Sequence, residues 1–137
     1  MAHFAKLDPN TNTVLDVLAV DNLLLRDENG VEREEIGARL LEESNPGFTF
    51  KQTSYNTEAN EHRGEGDKTP FRKNYAGYWY DWNESIQGFV PPKLHNSWVL
   101  NEDKGIYEAP IPMPEGQHCI WDEENGEWSQ CENIPTE

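Results

Sequence analysis

Three stretches decide the reading of this chain: Tyr80-Asp81-Trp82-Asn83-Glu84 running to Phe89-Val90-Pro91-Pro92, Trp98-Val99-Leu100-Asn101-Glu102 running to Tyr107-Glu108-Ala109-Pro110, and Cys119-Ile120-Trp121-Asp122-Glu123 running to Trp128-Ser129. A shift of 18 residues lays the first on the second, matching Trp82 with Leu100, Asn83 with Asn101, Glu84 with Glu102 and Phe89 with Tyr107. A shift of 21 lays the second on the third, matching Leu100 with Trp121, Asn101 with Asp122, Glu102 with Glu123, Gly105 with Gly126 and Tyr107 with Trp128. Each copy reads as a β-hairpin. Asn or Asp followed by Glu and then Gly makes a reverse turn, because Gly accepts the positive φ that such turns need. The bulky residues on either side sit across the hairpin and stack. Pro closes the ladder of the first two copies. The connectors Pro91-Pro92 and Pro110-Ile111-Pro112-Met113-Pro114 are stiff, extended spacers.

Outward from these copies, the N-terminal part reads differently. Residues 3–22 form a hairpin with its turn over Pro9 to Asn12 and a return strand carrying Val14, Leu15, Val17, Leu18 and Val20, although His3 to Asp8 alternates only weakly. Asp27-Glu28-Asn29-Gly30 is a turn. A helix is expected from Val31 to Ser44, with Ile36, Leu40 and Leu41 on its apolar face, acids at its start and Asn45-Pro46-Gly47 as its stop. Phe48 to Tyr55 is a strand. Asn56 to Pro70 is polar and reads as a long loop, a length that is usually functional or mobile. The fold class is α+β: antiparallel hairpins with one helix near 31–44. The division expected is 1–75 for the hairpin, helix and strand, and 76–137 for the three aromatic hairpins, with one continuous domain as the other possibility.

Composition narrows the function. The 137 residues suit one domain. Hydrophobic residues make up 35%, so the core is small and leans on five Trp, five Tyr and five Phe. A net charge of −15 repels nucleic acid backbones and anionic membranes, so neither is an expected partner. The charge serves solubility or, in a sharper reading, attraction to a basic partner or divalent cations. No apolar run is long enough to span a bilayer, and Met1 to Asp8 does not resemble a secretory signal. Synthesis in the cytoplasm is expected.

No catalytic constellation emerges. The carboxylates of Asp122, Glu123 and Glu124 fall in an exposed turn, where nothing raises a pKa for acid catalysis. His118 and Cys119 with Cys131 make the best metal candidate, but supply three ligands at most and at unusual separation. Cys119 and Cys131 flank the third hairpin and are equally compatible with a disulfide and with two thiols. Gly64-Glu65-Gly66 is a lone feature beside acids. The expectation is therefore no enzyme, no cofactor and no metal.

The aromatic residues carry the binding argument. If 78–82 is extended, Tyr78, Tyr80 and Trp82 share one face and Trp79 takes the other. One face belongs to the core and the other is free to bind; the competing reading buries both. Candidate interface residues are Tyr78, Trp79, Tyr80, Trp82, Trp98, Trp121 and Trp128, with Trp79 the first choice. Trp98 and Trp121 also fit stacking across hairpins with Tyr107 and Trp128.

Over almost its whole length the chain resembles small structural or accessory proteins of marine tailed phages, especially those of cyanobacteria. The resemblance rests on Met1-Ala-His-Phe-Ala-Lys-Leu-Asp8, Val14 to Asn22, Asp27 to Val31 with Glu35-Ile-Gly37, Lys51 to Asn56, Phe71-Arg-Lys-Asn-Tyr-Ala-Gly77, Pro91-Pro-Lys93, Ser97-Trp-Val-Leu-Asn101, Ala109 to Pro114 and Trp121 to Glu124. It implies a virion component on head or tail, with other capsid or tail proteins as partners and a homo-oligomer possible. A tail-fibre assembly protein and a glycan-binding attachment module are the alternatives.

Overall fold

A computed structural model describes residues 1–63 and 69–135. Strands β1 (Ala2–Leu7) and β2 (Val14–Val20) form the expected N-terminal hairpin, and β3 (Thr49–Thr53) pairs antiparallel with the other edge of β1. The sheet order is β2-β1-β3, so β1 is central. Its weak alternation now has a cause. Ala2 and Phe4 face one core cluster with Val20, Leu25 and Phe50, while Ala5 and Leu7 face a second with Val14, Ala76, Trp82 and Phe89. A strand buried on both faces cannot alternate cleanly.

Helix α1 (Glu34–Ser44) covers the first face. It begins three residues later than the 31–44 expected. Asp27 explains the delay: its carboxylate accepts the backbone N–H of Asn29 and Val31 and pairs with Arg33 Nε at 2.7 Å, while the backbone of Glu32 forms an antiparallel β-bridge with that of Arg26. Residues 31–33 are thereby held extended. The expected apolar face also shifts. Leu40 is exposed, and the inward residues are Gly37, Ala38 and Leu41. The helix sits so close to β1 that a Cβ on Gly37 would lie 2.6 Å from Phe4 Cζ.

The expected loop over 56–70 is partly structured. Strands β4 (Thr57–Glu58) and β5 (Glu61–His62) make a short ribbon within it, and Gly64-Glu65-Gly66 lies outside the described residues. The ribbon is strapped to the following segment: Tyr75 N–H donates to Thr57 O at 2.7 Å, and Asn60 N–H to Lys73 O at 2.7 Å.

The three copies form three two-stranded hairpins: β6 (Asp81–Asn83) with β7 (Gly88–Val90), β8 (Val99–Asn101) with β9 (Ile106–Glu108), and β10 (Gln117–Asp122) with β11 (Glu127–Asn133). The first packs on the second face of the N-terminal sheet. Its Trp82 and Phe89 share a core cluster with Ala5, Leu7 and Val14 of the N-terminal hairpin.

Candidate interaction surface

The hairpins match position by position. Directly opposed are Trp82 and Phe89, Leu100 and Tyr107, and Trp121 and Trp128, the pairs that the shifts of 18 and 21 align. Asn83 Oδ1 accepts the N–H of Ser85 and Ile86, Asn101 Oδ1 accepts those of Asp103 and Lys104, and Asp122 Oδ1 accepts that of Asn125. This side-chain turn replaces backbone bonds that a tight reversal cannot make. The fifth turn residue has positive φ in all three: Gln87 at 53°, Gly105 at 70° and Gly126 at 64°. Gln87 manages without Gly because its side-chain amide donates to the backbone and carboxylate of Glu84.

A further rule recurs where a Trp leads the hairpin. Trp82 Nε1 donates to Glu84 at 2.6 Å, and Trp121 Nε1 donates to Glu123 at 2.8 Å. The indole N–H beside Glu84, helped by Gln87, holds its carboxyl below the usual range. Glu123 is lowered as well, first by the Ser97 hydroxyl and then by Trp121.

The seven candidate aromatics separate on this framework. Trp82 is buried, in edge contact with Phe89 at 5.0 Å, with Lys51 and Arg72 over its ring at 4.9 and 5.1 Å. Tyr80 packs beside the same cluster. Trp121 is buried and meets Trp128 at 5.1 Å; Trp98 joins both at 6.3 Å, and Trp128 Nε1 donates to Ile111 O. Trp98 Nε1 is buried without a hydrogen-bond partner among the described residues. Trp98 therefore joins a three-indole cluster with the third hairpin; its expected stacking partner Tyr107 instead faces Leu100.

Tyr78 and Trp79 are the two that project, at 66% and 68% exposed. The segment is not extended, so the expected strand parity of Tyr78, Trp79 and Tyr80 does not hold: residues 78–79 form a turn, closed by Tyr80 N–H to Gly77 O, and Trp79 has φ 70°. Tyr78 thus points outward with Trp79 instead of inward with Tyr80. The turn is rigidly tied to β2, because Trp79 N–H donates to Val14 O at 2.9 Å and Val14 N–H donates to Tyr80 O at 2.7 Å.

Several residues that hold this surface left no sequence signal. Asn74 is buried; its amide donates to Phe89 O and Gly105 O and accepts from Ala59 N–H, joining two hairpins and the ribbon. The Lys73 stem lies against Gly88 and Gly105, where any Cβ would collide with it. Arg72 forks onto Glu34 at the start of α1. Burial pushes the Glu34 pKa up, but Arg72 and the Gln52 N–H outweigh it, and the net shift is downward.

The metal candidate dissolves here: Cys119 and Cys131 are joined in a disulfide, which removes both thiols as ligands. Among the described residues no group of three His, Cys, Asp or Glu side chains converges as a metal site, and no helix is long and apolar enough to cross a membrane. Comparison with protein-family models, curated proteins and solved structures returned no match.

Proposed function

We propose that this chain is a structural component of a tailed-phage particle, an accessory piece on the head or tail surface that works through protein–protein contacts. The observation that carries the reading is the Tyr78–Trp79 turn. Two large aromatic rings stand in solvent on a backbone fixed to the central sheet, with Trp79 in the left-handed region that non-glycine residues rarely occupy. Such a backbone persists only where its surroundings hold it, here through the two bonds to Val14. Rigid exposed aromatics are the usual anchors of interfaces, because little side-chain entropy is lost on burial. The partners are other capsid or tail proteins. The acidic surface favours a partner with a basic rim and disfavours nucleic acid.

The test is Trp79→Ala in the phage, scored for melting temperature and for incorporation into particles by mass spectrometry of purified virions. Lost incorporation at an unchanged melting temperature is expected, with a binding loss of ~2 kcal/mol or more. Normal incorporation refutes the Trp79 contact. Absence of the unaltered chain from mature particles refutes the virion reading and favours a fibre-assembly factor.

A further inference from the structure

A second aromatic group belongs to neither core cluster, and Tyr80, which closes the Tyr78–Trp79 turn, lines one of the hollows beside it. His3 on β1, Tyr55 just after β3 and Tyr75 meet with ring centroids 5.5 to 6.1 Å apart. Tyr75 is half-buried and backs Tyr55 edge-on, while Tyr55 itself is 70% exposed. Tyr55 and Asn56 line two open hollows. One, of about 510 Å³, is also lined by Glu58, Arg63 and Tyr75; the other, of about 480 Å³, by His3, Gln52 and Ser54.

The polar lining mixes neutral groups, Gln52, Ser54 and Asn56, with the charged Glu58 and Arg63. The side chains of Gln52, Ser54 and Asn56 make no hydrogen bond to another described residue, while Arg63 pairs with Glu61 at 3.4 Å and more loosely with Glu58 at 4.0 Å, all three exposed. The frame beneath is rigid. Phe71 N–H donates to Thr57 Oγ1, Tyr75 N–H to Thr57 O and Ala59 N–H to Asn74 Oδ1. Ala59, Asn60, Arg72 and Lys73 all have positive φ, between 49° and 70°. Four non-glycine residues in that region are tolerated only where the surroundings over-determine the backbone.

An exposed ring with free amides and a hydroxyl around it suits one chemical class. The negative face of an aromatic ring attracts the weakly positive C–H face of a sugar. Amide and hydroxyl groups can each meet a sugar hydroxyl as donor or acceptor. Glu58 disfavours a phosphate or sulfate, and the net charge of −15 disfavours nucleic acid.

We propose that the hollows flanking Tyr55 bind an uncharged pyranose, with the Tyr55 ring as stacking platform and Asn56 and Glu58 among its hydrogen-bonding groups. This site is independent of the virion reading, since it needs no particle to be occupied.

The experiment titrates the full chain with methyl glycosides of glucose, galactose, mannose, rhamnose and N-acetylglucosamine up to ~50 mM, a range that saturates a site whose Kd is as weak as ~1 mM. Aromatic and amide NMR signals are followed. A saturable shift at Tyr55, Tyr75 and Asn56 is expected with at least one sugar. Tyr55→Ala should weaken it by about tenfold or more, Asn56→Ala should weaken it less, and Trp79→Ala should leave it unchanged. Circular dichroism verifies that each variant stays folded. The proposal is overturned if no sugar gives a saturable shift, if Tyr55→Ala binds as well as the unaltered chain, or if the shifts centre on Trp79.

Discussion

The first and third hairpins share a local code and differ in what holds them. Both have a leading Trp bonded to Glu two residues on, an Asn or Asp that caps the turn, and an aromatic partner across the strands. The first is sunk in a core: Trp82, Phe89 and Val90 are each at most 4% exposed, and the strand edge continues through Thr13 opposite Asp81. The third is held by the Cys119–Cys131 bridge, by Trp98 against its two indoles and by Ser97 on Glu123. The lesson is that turn chemistry and a cross-strand pair specify a hairpin, while its persistence comes from elsewhere, since an isolated hairpin is marginal in water.

The largest effects should separate the two supports. Phe89→Ala is expected to cost ~3–5 kcal/mol and to unfold the sheet and the first hairpin together, because it opens a cavity in a shared core. Cys131→Ser is expected to cost up to ~3 kcal/mol by releasing a short loop, and to act locally. Hydrogen exchange would resolve them: amides over 117–133 should lose protection in Cys131→Ser while those of β1 and β6 keep theirs. Equal loss across the molecule in Cys131→Ser would show that the third hairpin belongs to the same cooperative unit.

A smaller effect sharpens the turn comparison. Gly105→Ala and Gly126→Ala impose the same positive-φ strain, about 1 kcal/mol. Only Gly105 also meets an obstacle, with Lys73 Cβ 2.5 Å from the added carbon, whereas nothing lies within 4 Å at Gly126. Denaturant midpoints should therefore fall further for Gly105→Ala. Equal falls would mean that Lys73 moves aside freely.

The smallest effect is set by pH. Glu123 has a folded-state pKa below its ordinary 4.5, owing first to the Ser97 hydroxyl and then to Trp121. A lowered folded value contributes stability that is complete above the unfolded value and is lost as pH falls through the folded one. Indole fluorescence of the third hairpin should thus change on acidification below about 4.5, and Glu123→Gln should flatten that change. A profile identical in the variant would remove Glu123 from the docking of Ser97.

Legibility followed locality. The hairpins could be aligned from sequence because turn caps, cross-strand partners and closing prolines lie within a dozen residues of one another. Helix α1 was visible through its stop at Asn45-Pro46-Gly47, but its inward face was not. Gly37 faces inward because Phe4, 33 residues earlier, needs the space, and periodicity cannot report a contact of that kind. The parity of Tyr78, Trp79 and Tyr80 failed because Val14, more than 60 residues away, bends the segment into a turn through two backbone bonds. Asn74 and the His3–Tyr55–Tyr75 group were silent for the same reason: each is assembled from segments that only the finished fold brings together.

Asn74 also sets a timetable for a chain that emerges from the ribosome N-terminus first. Its amide clasps Phe89 O and Gly105 O, which lie 15 and 31 residues downstream. The three-stranded sheet contains nothing beyond Thr53, so it can close early, yet the clasp must wait until Gly105 has left the exit tunnel. Earlier still, until residues 81–90 emerge, the apolar underside of β1, with Ala5 and Leu7, lacks the cover that Trp82 and Phe89 later provide. The nascent chain therefore passes through a stage in which half of its central strand is uncovered, and the first hairpin is the piece whose arrival ends it.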